Sequence, residues 1–554
     1  MRAIREWLRA SKAREALSFF PDAASSVELR IVGRTLLHAA LVGAAAGLVG
    51  AAFFAGLEYV QRFLLEDLGG YHPLRAAGEN FLGESPGPHR FRPWLLVLLP
   101  ALGALGSGIV SQLAPETRGG GGDAMIEAFH HRDGLIRRRV IWVKAIASLL
   151  TLGSGGAGGR EGPTMQIGGA LGSTVGRLLR VGAAERRVLM IAGVAAGIAA
   201  VFRTPLGAAL LAVEVLYHDD FESDALIPAV LASVVAYSVV ISIYGESTLF
   251  AQPSRFPFVP AHLWLYGVMA MLVALVANIF LRTLRTVQGI TKRLPLPGWA
   301  KPAAGGLALG IFAVPLVALV GWQIGQPGQG LGLLGGGYGA VQLAISGASF
   351  LPGGWAAVAL FGGLCLAKLF ASSLTIGTGG SAGDFAPALV IGGLFGGAFG
   401  RALQLLLNDP RINPAAFALI AMGTFYGGLA HAPLSSLIIV CELAGSYDLL
   451  VPLMLAEGIA FIALRKRSLY HAQLPSRRYS PAHRDDSGVG LPGIPNAPHA
   501  PNIPKSGAPK SGAPPPPPSP AAPQTAPTAP ETSSDATTTS VEATSVSGRE
   551  VSST

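Results

Sequence analysis

The sequence predicts an all-α polytopic membrane protein built from two related halves with interrupted helices. Three observations lead there: long charge-free apolar stretches, an unusual abundance of glycine, and an internal repeat. Only 13% of the 554 residues are charged, about half of the roughly 25% usual in soluble domains. A helix needs about 20 apolar residues to span a bilayer. Leu36 to Leu57, Ala225 to Gly245 and Leu263 to Leu281 each supply such a run, and no charge stands between Lys301 and Lys368. A soluble domain with one core has no use for so much uncharged length.

The 73 glycines fit the same reading, because small residues let membrane helices approach closely. They also permit broken helices, which survive at membrane depth only when buried in protein or lining a cavity. Gly305-Gly306 and Pro315 interrupt one apolar run and are read as points of discontinuity.

The net charge of +9 is read first as a topology signal. Arg2, Arg5, Arg9, Lys12 and Arg14 precede the first span, and Arg465, Lys466 and Arg467 follow the last. By the positive-inside rule both ends are expected to be cytoplasmic, and the plasma (inner) membrane is the expected location. Ile4, Trp7 and Leu8 fall at helical spacing among these bases, so residues 1–32 are expected to hold an amphipathic helix on the membrane surface. Contact with the bilayer explains the bases, so nucleic acid is not expected as a partner. Residues 33–484 form the membrane body. Residues 485–554, rich in Pro, Ala, Ser and Thr and including Pro514 to Pro518, cannot bury enough apolar surface to fold. The two cysteines, Cys365 and Cys441, sit in apolar stretches and read as small core residues rather than a disulfide or metal pair.

The body repeats. Pro163-Thr164-Met165-Gln166-Ile167-Gly168-Gly169, followed by Gly172 and Gly176-Arg177, returns as Pro387-Ala388-Leu389-Val390-Ile391-Gly392-Gly393, followed by Gly396 and Gly400-Arg401, with every offset kept. Pro205-Leu206 precedes Glu214 at the spacing at which Pro433-Leu434 precedes Glu442. Internal repeats in transporters place the ion site where broken helices of the two halves meet. Each repeat opens with a glycine-rich turn and a proline, Gly159 to Pro163 and Gly383 to Pro387, which reads as a helix start. A helix start exposes free N–H groups and about half a positive charge. Two such ends aimed at one point make an anion site that holds its ion without trapping it.

Glu161 stands in the first of these turns. An intramembrane carboxylate is costly and marks function by default. Being an anion itself, it would compete with a permeating ion at the helix start, and protonation would release it. Helix capping or pairing with Arg160 is the plainer alternative.

Here a resemblance emerges. Gly159-Arg160-Glu161-Gly162-Pro163-Thr164 resembles a signature of the CLC family of chloride channels and chloride/proton exchangers. Gly383-Asp384-Phe385-Ala386-Pro387 resembles the family's Gly-x-Phe-x-Pro motif, and Ser468-Leu469-Tyr470 the segment carrying its pore tyrosine. The resemblance implies two inverted repeats of tilted and broken helices, a homodimer with one pore per subunit, chloride as the transported ligand, and no cofactor, metal or enzymatic activity. It implies that Glu161 is the gate. It places Gly120, Gly121, Arg160, Gly162, Asp384, Phe385, Ala386 and Tyr470 around the anion, with the Tyr470 hydroxyl donating from the cytoplasmic side. An interfacial anchor is the other reading of Tyr470. Arg160 and Lys144 either raise the local potential or serve as buried structural partners.

The chain departs from the pattern at three places. Gly119-Gly120-Gly121-Gly122-Asp123 stands where the family usually has Gly-Ser-Gly-x-Pro, so Gly120 replaces a serine hydroxyl facing the ion, and nitrate, bromide or fluoride join chloride as candidates. Asp123 would cap the helix that follows. Asp384 puts an acid beside the anion site. Ser381-Ala382-Gly383-Asp384 also partly matches the Gly-x-Gly-Asp of intramembrane aspartyl proteases, a weak rival lacking a second matching Asp. A structural membrane subunit is a further rival, which the paired helix starts argue against. Finally, family exchangers carry a second glutamate one residue after the position of Glu214. Here that residue is Val215, which cannot relay a proton. Glu214 and Val215 mark the candidate proton path, and Val215 tips the expectation toward channel-like conduction, with chloride/proton antiport as the alternative.

Overall fold

The structure, a computed structural model, describes residues 25–79, 90–250, 256, 259–323, 325–347 and 351–483. The expected surface helix of residues 1–32 falls largely outside these residues, as does the Pro-rich tail. Among the described residues the chain forms sixteen α-helices. The first eight are α1 (Ser25–Gln61), α2 (Pro93–Val110), α3 (Gly122–His131), α4 (Arg139–Gly153), α5 (Glu161–Leu178), α6 (Ala183–Phe202), α7 (Pro205–Glu214) and α8 (Leu226–Tyr244). The second eight are α9 (Leu263–Arg293), α10 (Lys301–Gln323), α11 (Tyr338–Ser346), α12 (Gly354–Gly377), α13 (Phe385–Leu407), α14 (Pro414–Ala430), α15 (Pro433–Ala444) and α16 (Leu450–Leu464). Each helix of the first set has its counterpart eight helices later, so the repeat seen as two short motifs extends over the whole body.

Among the described residues, seven stretches are long and apolar enough to cross a bilayer, and α7, α14, α15 and α16 are apolar but shorter. At 1.5 Å per residue, α7 covers only about half of the roughly 30 Å hydrocarbon core. Such half-helices leave their ends inside the protein, where something must satisfy them. The two halves do this for each other. The Glu214 carboxylate, at the end of α7, accepts from the amides of Leu434 (3.1 Å) and Ser435 (2.8 Å) at the start of α15, and from the Ser435 hydroxyl. Glu442 on α15 accepts in return from the amides of Leu206 (3.1 Å) and Gly207 (2.8 Å) at the start of α7.

Glycine sets how closely the long helices pack. Gly168 and Gly172 of α5 lie against Gly193, Leu189 and Gly197 of α6, and a Cβ at Gly168 would overlap the Gly193 carbonyl. The equivalent Gly392 and Gly396 of α13 lie against Ala421 and Phe417 of α14. Gly305-Gly306 and Pro315 correct an expectation: α10 runs through all three without a break. Gly306 instead brings α10 against the Pro100 carbonyl of α2. A small residue at a helix crossing and one at a helix break look alike in sequence. The breaks fall between elements, at the glycine turns that precede α3, α5, α11 and α13.

Candidate anion site

Two of those turns meet. The Gly159 amide donates to the Gly383 carbonyl (2.8 Å), and the Gly383 amide donates to the Gly159 carbonyl (2.7 Å). This bridge sets the first turns of α5 and α13 side by side. Beyond it, the amides of Glu161, Gly162, Phe385 and Ala386 lie in the helices' first turns, where no carbonyl one turn back is available. Pro163 and Pro387 follow in each helix and carry no N–H. Gly162 packs against the Gly120 carbonyl and Gly383 Cα, Gly121 against the Gly162 carbonyl, and Gly159 against Ala386. Gly120, Gly121, Gly162, Asp384, Phe385 and Ala386 are therefore brought into one place.

The turn carrying Gly120 is held by a buried cation. Gly119 and Gly121 have φ of 71° and 93°, open to glycine at no steric cost. The Lys144 ammonium donates to the carbonyls of Thr117 (3.0 Å) and Gly119 (2.7 Å). The other half repeats this: Gly335 and Gly337 have φ of 69° and 95°, and Lys368 donates to Leu333 (3.2 Å) and Gly335 (2.7 Å). Of the two roles weighed for Lys144, the geometry fits the structural one, since its hydrogen bonds are spent on the turn.

Glu161 is 1% exposed. One carboxylate oxygen accepts from the Tyr338 hydroxyl at 2.8 Å. The other has no hydrogen-bond partner and lies against Gly159. The Glu161 side chain caps no helix. The Arg160 charge acts on Glu161 from nearby. The guanidinium pairs with Glu79 (3.1 Å) and Glu58 (3.7 Å) and stacks over the Phe54 ring at 4.8 Å. Glu58 also pairs with Arg75, which holds Glu66 at 2.6 Å. Arg160 was expected around the anion; its guanidinium pairs with these carboxylates, as a buried cation needs partners.

Two cavities approach this crossing. One is lined by Glu58, Tyr71, Arg75, Glu79, Glu161 and Tyr338. The other is lined by Gly120, Gly121, Asp123, Asp384 and Tyr470 and by charged residues at its rim. At that rim, burial would raise the Glu116 carboxyl, but hydrogen bonds from Arg137 outweigh it and hold the group below its ordinary value.

Tyr470 is 3% exposed, which rules out the interfacial-anchor reading. Its hydroxyl donates to Asp384 Oδ1 at 3.2 Å. Its loop is pinned by the Leu469 amide on the Leu429 carbonyl (2.9 Å) and by Gln473 on the carbonyls of Val215 and Ala430. Asp123 does not cap its own helix. It accepts from the Ala472 amide at 3.0 Å and so holds the Tyr470 loop. Phe385 is buried against Phe202 and Tyr426, with ring centroids 4.9 Å and 4.2 Å away.

The candidate proton path looks different in three dimensions. Glu214 is engaged as the cap of α15, and Val215 is fully buried, with its carbonyl accepting from Gln473. Sequence reasoning missed Tyr338, Glu58, Glu79 and the Lys368 turn. One signal was available: Gly335-Gly336-Gly337 before Tyr338 mirrors Gly119-Gly120-Gly121 before Gly122.

Known proteins resemble this chain in sequence and shape. The sequence model described as "Voltage gated chloride channel" matches residues 102–465. An H(+)/Cl(-) exchange transporter ClcA of Salmonella arizonae is 30% identical over 427 residues, covering 76% of this chain and 83% of that protein. The protein of the same name from Salmonella newport matches to the same extent. Among solved structures, a slow cyanobacterial Cl-/H+ antiporter superposes with a TM-score of 0.64 at 24% identity, covering 78% of this chain and 94% of the other. A CLC-type fluoride/proton antiporter superposes with a TM-score of 0.62 at 22% identity, covering 80% and 98%. The family match spans most of the membrane body, and the paired helix starts, half-helices and inverted halves are those the motifs implied. This multi-pass membrane protein belongs to the voltage gated chloride channel (CLC) family.

Proposed function

We propose that the protein exchanges chloride for protons across its membrane, with Glu161 as the group that both blocks the anion path and carries the proton. One observation carries this reading: a buried carboxylate, with one oxygen unpartnered, sits where two helix starts meet and faces one of two cavities. There it takes the place of an anion. When protonated it loses that attraction and leaves the place to chloride. The similarity to relatives named as H(+)/Cl(-) exchange transporters supports exchange over the channel-like conduction that Val215 suggested. Conduction remains the second reading, because Val215 cannot carry a proton and Glu214 is engaged as a cap. The homodimer, cytoplasmic termini and a cytoplasmic position for the Tyr470-side cavity belong to this proposal.

The test is reconstitution in liposomes under an outward chloride gradient with the voltage clamped. Exchange predicts protons moving uphill as chloride leaves. Chloride efflux without proton movement would leave only conduction.

Tyr338 offers a finer check. Its hydroxyl favours the seated, charged form of Glu161. A hydrogen bond to a charged group contributes about 1.5–3 kcal/mol. Tyr338→Phe should therefore weaken the seated carboxylate's competition, lowering half-saturating chloride by roughly tenfold. An unchanged chloride dependence would remove Tyr338 from the gate.

A further inference from the structure

The second carboxylate at the crossing, Asp384, has no counterpart in the repeat, where Arg160 holds the equivalent position. It is the N-cap residue of α13, yet its side chain caps nothing. It reaches instead between Gly120 and Tyr470. A Cβ built on Gly120 would lie 3.1 Å from Asp384 Oδ2, and the Tyr470 hydroxyl donates to Oδ1 at 3.2 Å. Gly120 is where the family pattern has a serine hydroxyl facing the ion, and Tyr470 is where it has the ion's other hydroxyl donor. The missing hydroxyl leaves room, and the Asp384 carboxylate fills it.

We infer that Asp384 is a second, inner carboxylate gate: it occupies the Tyr470-side anion position itself, and an anion enters only after Asp384 takes a proton from the adjoining cavity. The chemistry balances simply. A proton from cavity water binds a carboxylate oxygen, the neutral acid gives up the Tyr470 hydroxyl, and an anion accepts that hydrogen bond in its place. When the anion moves on, the acid returns the proton and reseats. The charged and titratable groups acting on Asp384 include Asp123 on α3, Lys144 on α4, Tyr426 on α14 and Tyr470. Lys144 donates to the carbonyls of Thr117 and Gly119, and Asp123 accepts from the Ala472 amide. The cavity is the proton route this inference uses, because Asp384 lines it directly, beside Gly120 and Tyr470. This gives the chain a protonatable group on the side where Val215 replaces the family's inner glutamate, by a different route.

The inference rests on reading the crossing as an anion path gated by Glu161, so the test separates the two. Chloride binding to purified protein would be measured by calorimetry at about pH 5 and about pH 8, spanning the carboxylate range when shifted by a buried site. In Glu161→Gln protein the outer carboxylate is silent. Asp384 then predicts binding tighter at the lower pH, by roughly tenfold or more. Adding Asp384→Asn should bring tight binding at both pH values, and Asp384→Ser serves if the Asn variant is not monodisperse. If Glu161→Gln protein binds chloride equally at both pH values, or if the double variant keeps the pH dependence, the inner gate is wrong. The Glu161 reading is judged separately, on proton coupling in Glu161→Gln liposomes with Asp384 intact.

Discussion

Replacing Glu161 by Gln should leave anion uptake running and abolish its coupling to protons. Gln keeps the shape of the side chain and can still accept from the Tyr338 hydroxyl, so the packing around the crossing should persist. It carries no charge, so it no longer competes with an anion for the amides at the two helix starts. It also cannot bind and release a proton in this range. Chloride uptake into liposomes should therefore proceed without uphill proton movement, and its dependence on pH at the Glu161 side should flatten. Continued proton movement against its gradient would show that another group carries the proton. Unaltered pH dependence at that side would show that Glu161 is not the gate.

Arg160→Met should destabilise the protein by about 3–5 kcal/mol, the scale for removing one partner of a buried ion pair. The cost lies in what stays behind. Buried Glu58 and part-buried Glu79 would keep their carboxylates with one guanidinium, Arg75, left for the cluster. The turn that presents Glu161 would lose the anchor beside it. The effect is read as a fall in the midpoint of thermal unfolding in detergent. Glu79→Gln combined with Arg160→Met should recover part of it, because it removes one uncompensated charge. An anion ligand would behave otherwise: its loss would weaken chloride binding with little change in unfolding, and the second substitution would rescue nothing. That outcome would return Arg160 to the anion site.

The motifs were legible because glycine and proline recur at the same offsets in both halves. Gly159 to Pro163 and Gly383 to Pro387 announced two helix starts, and the structure joins them through reciprocal hydrogen bonds between Gly159 and Gly383. The equivalence of Lys144 and Lys368 was harder to see. Each is a single residue whose meaning depends on carbonyls many positions earlier in the chain. Gly305-Gly306 misled because small residues serve close packing and chain breaks alike, and only the neighbouring helix tells which.

By itself the sequence determined the membrane class, the twofold repeat and the place of Glu161, because hydropathy, glycine and proline act locally on the chain. Only the tertiary structure decided where the charges go. Arg160 pairs with Glu58 and Glu79, Glu214 accepts from the first amides of α15, and Asp384 turns to Tyr470 across the space left by Gly120. A buried charge must find a partner wherever the fold provides one. Those partners lie far away in sequence, so no local pattern names them.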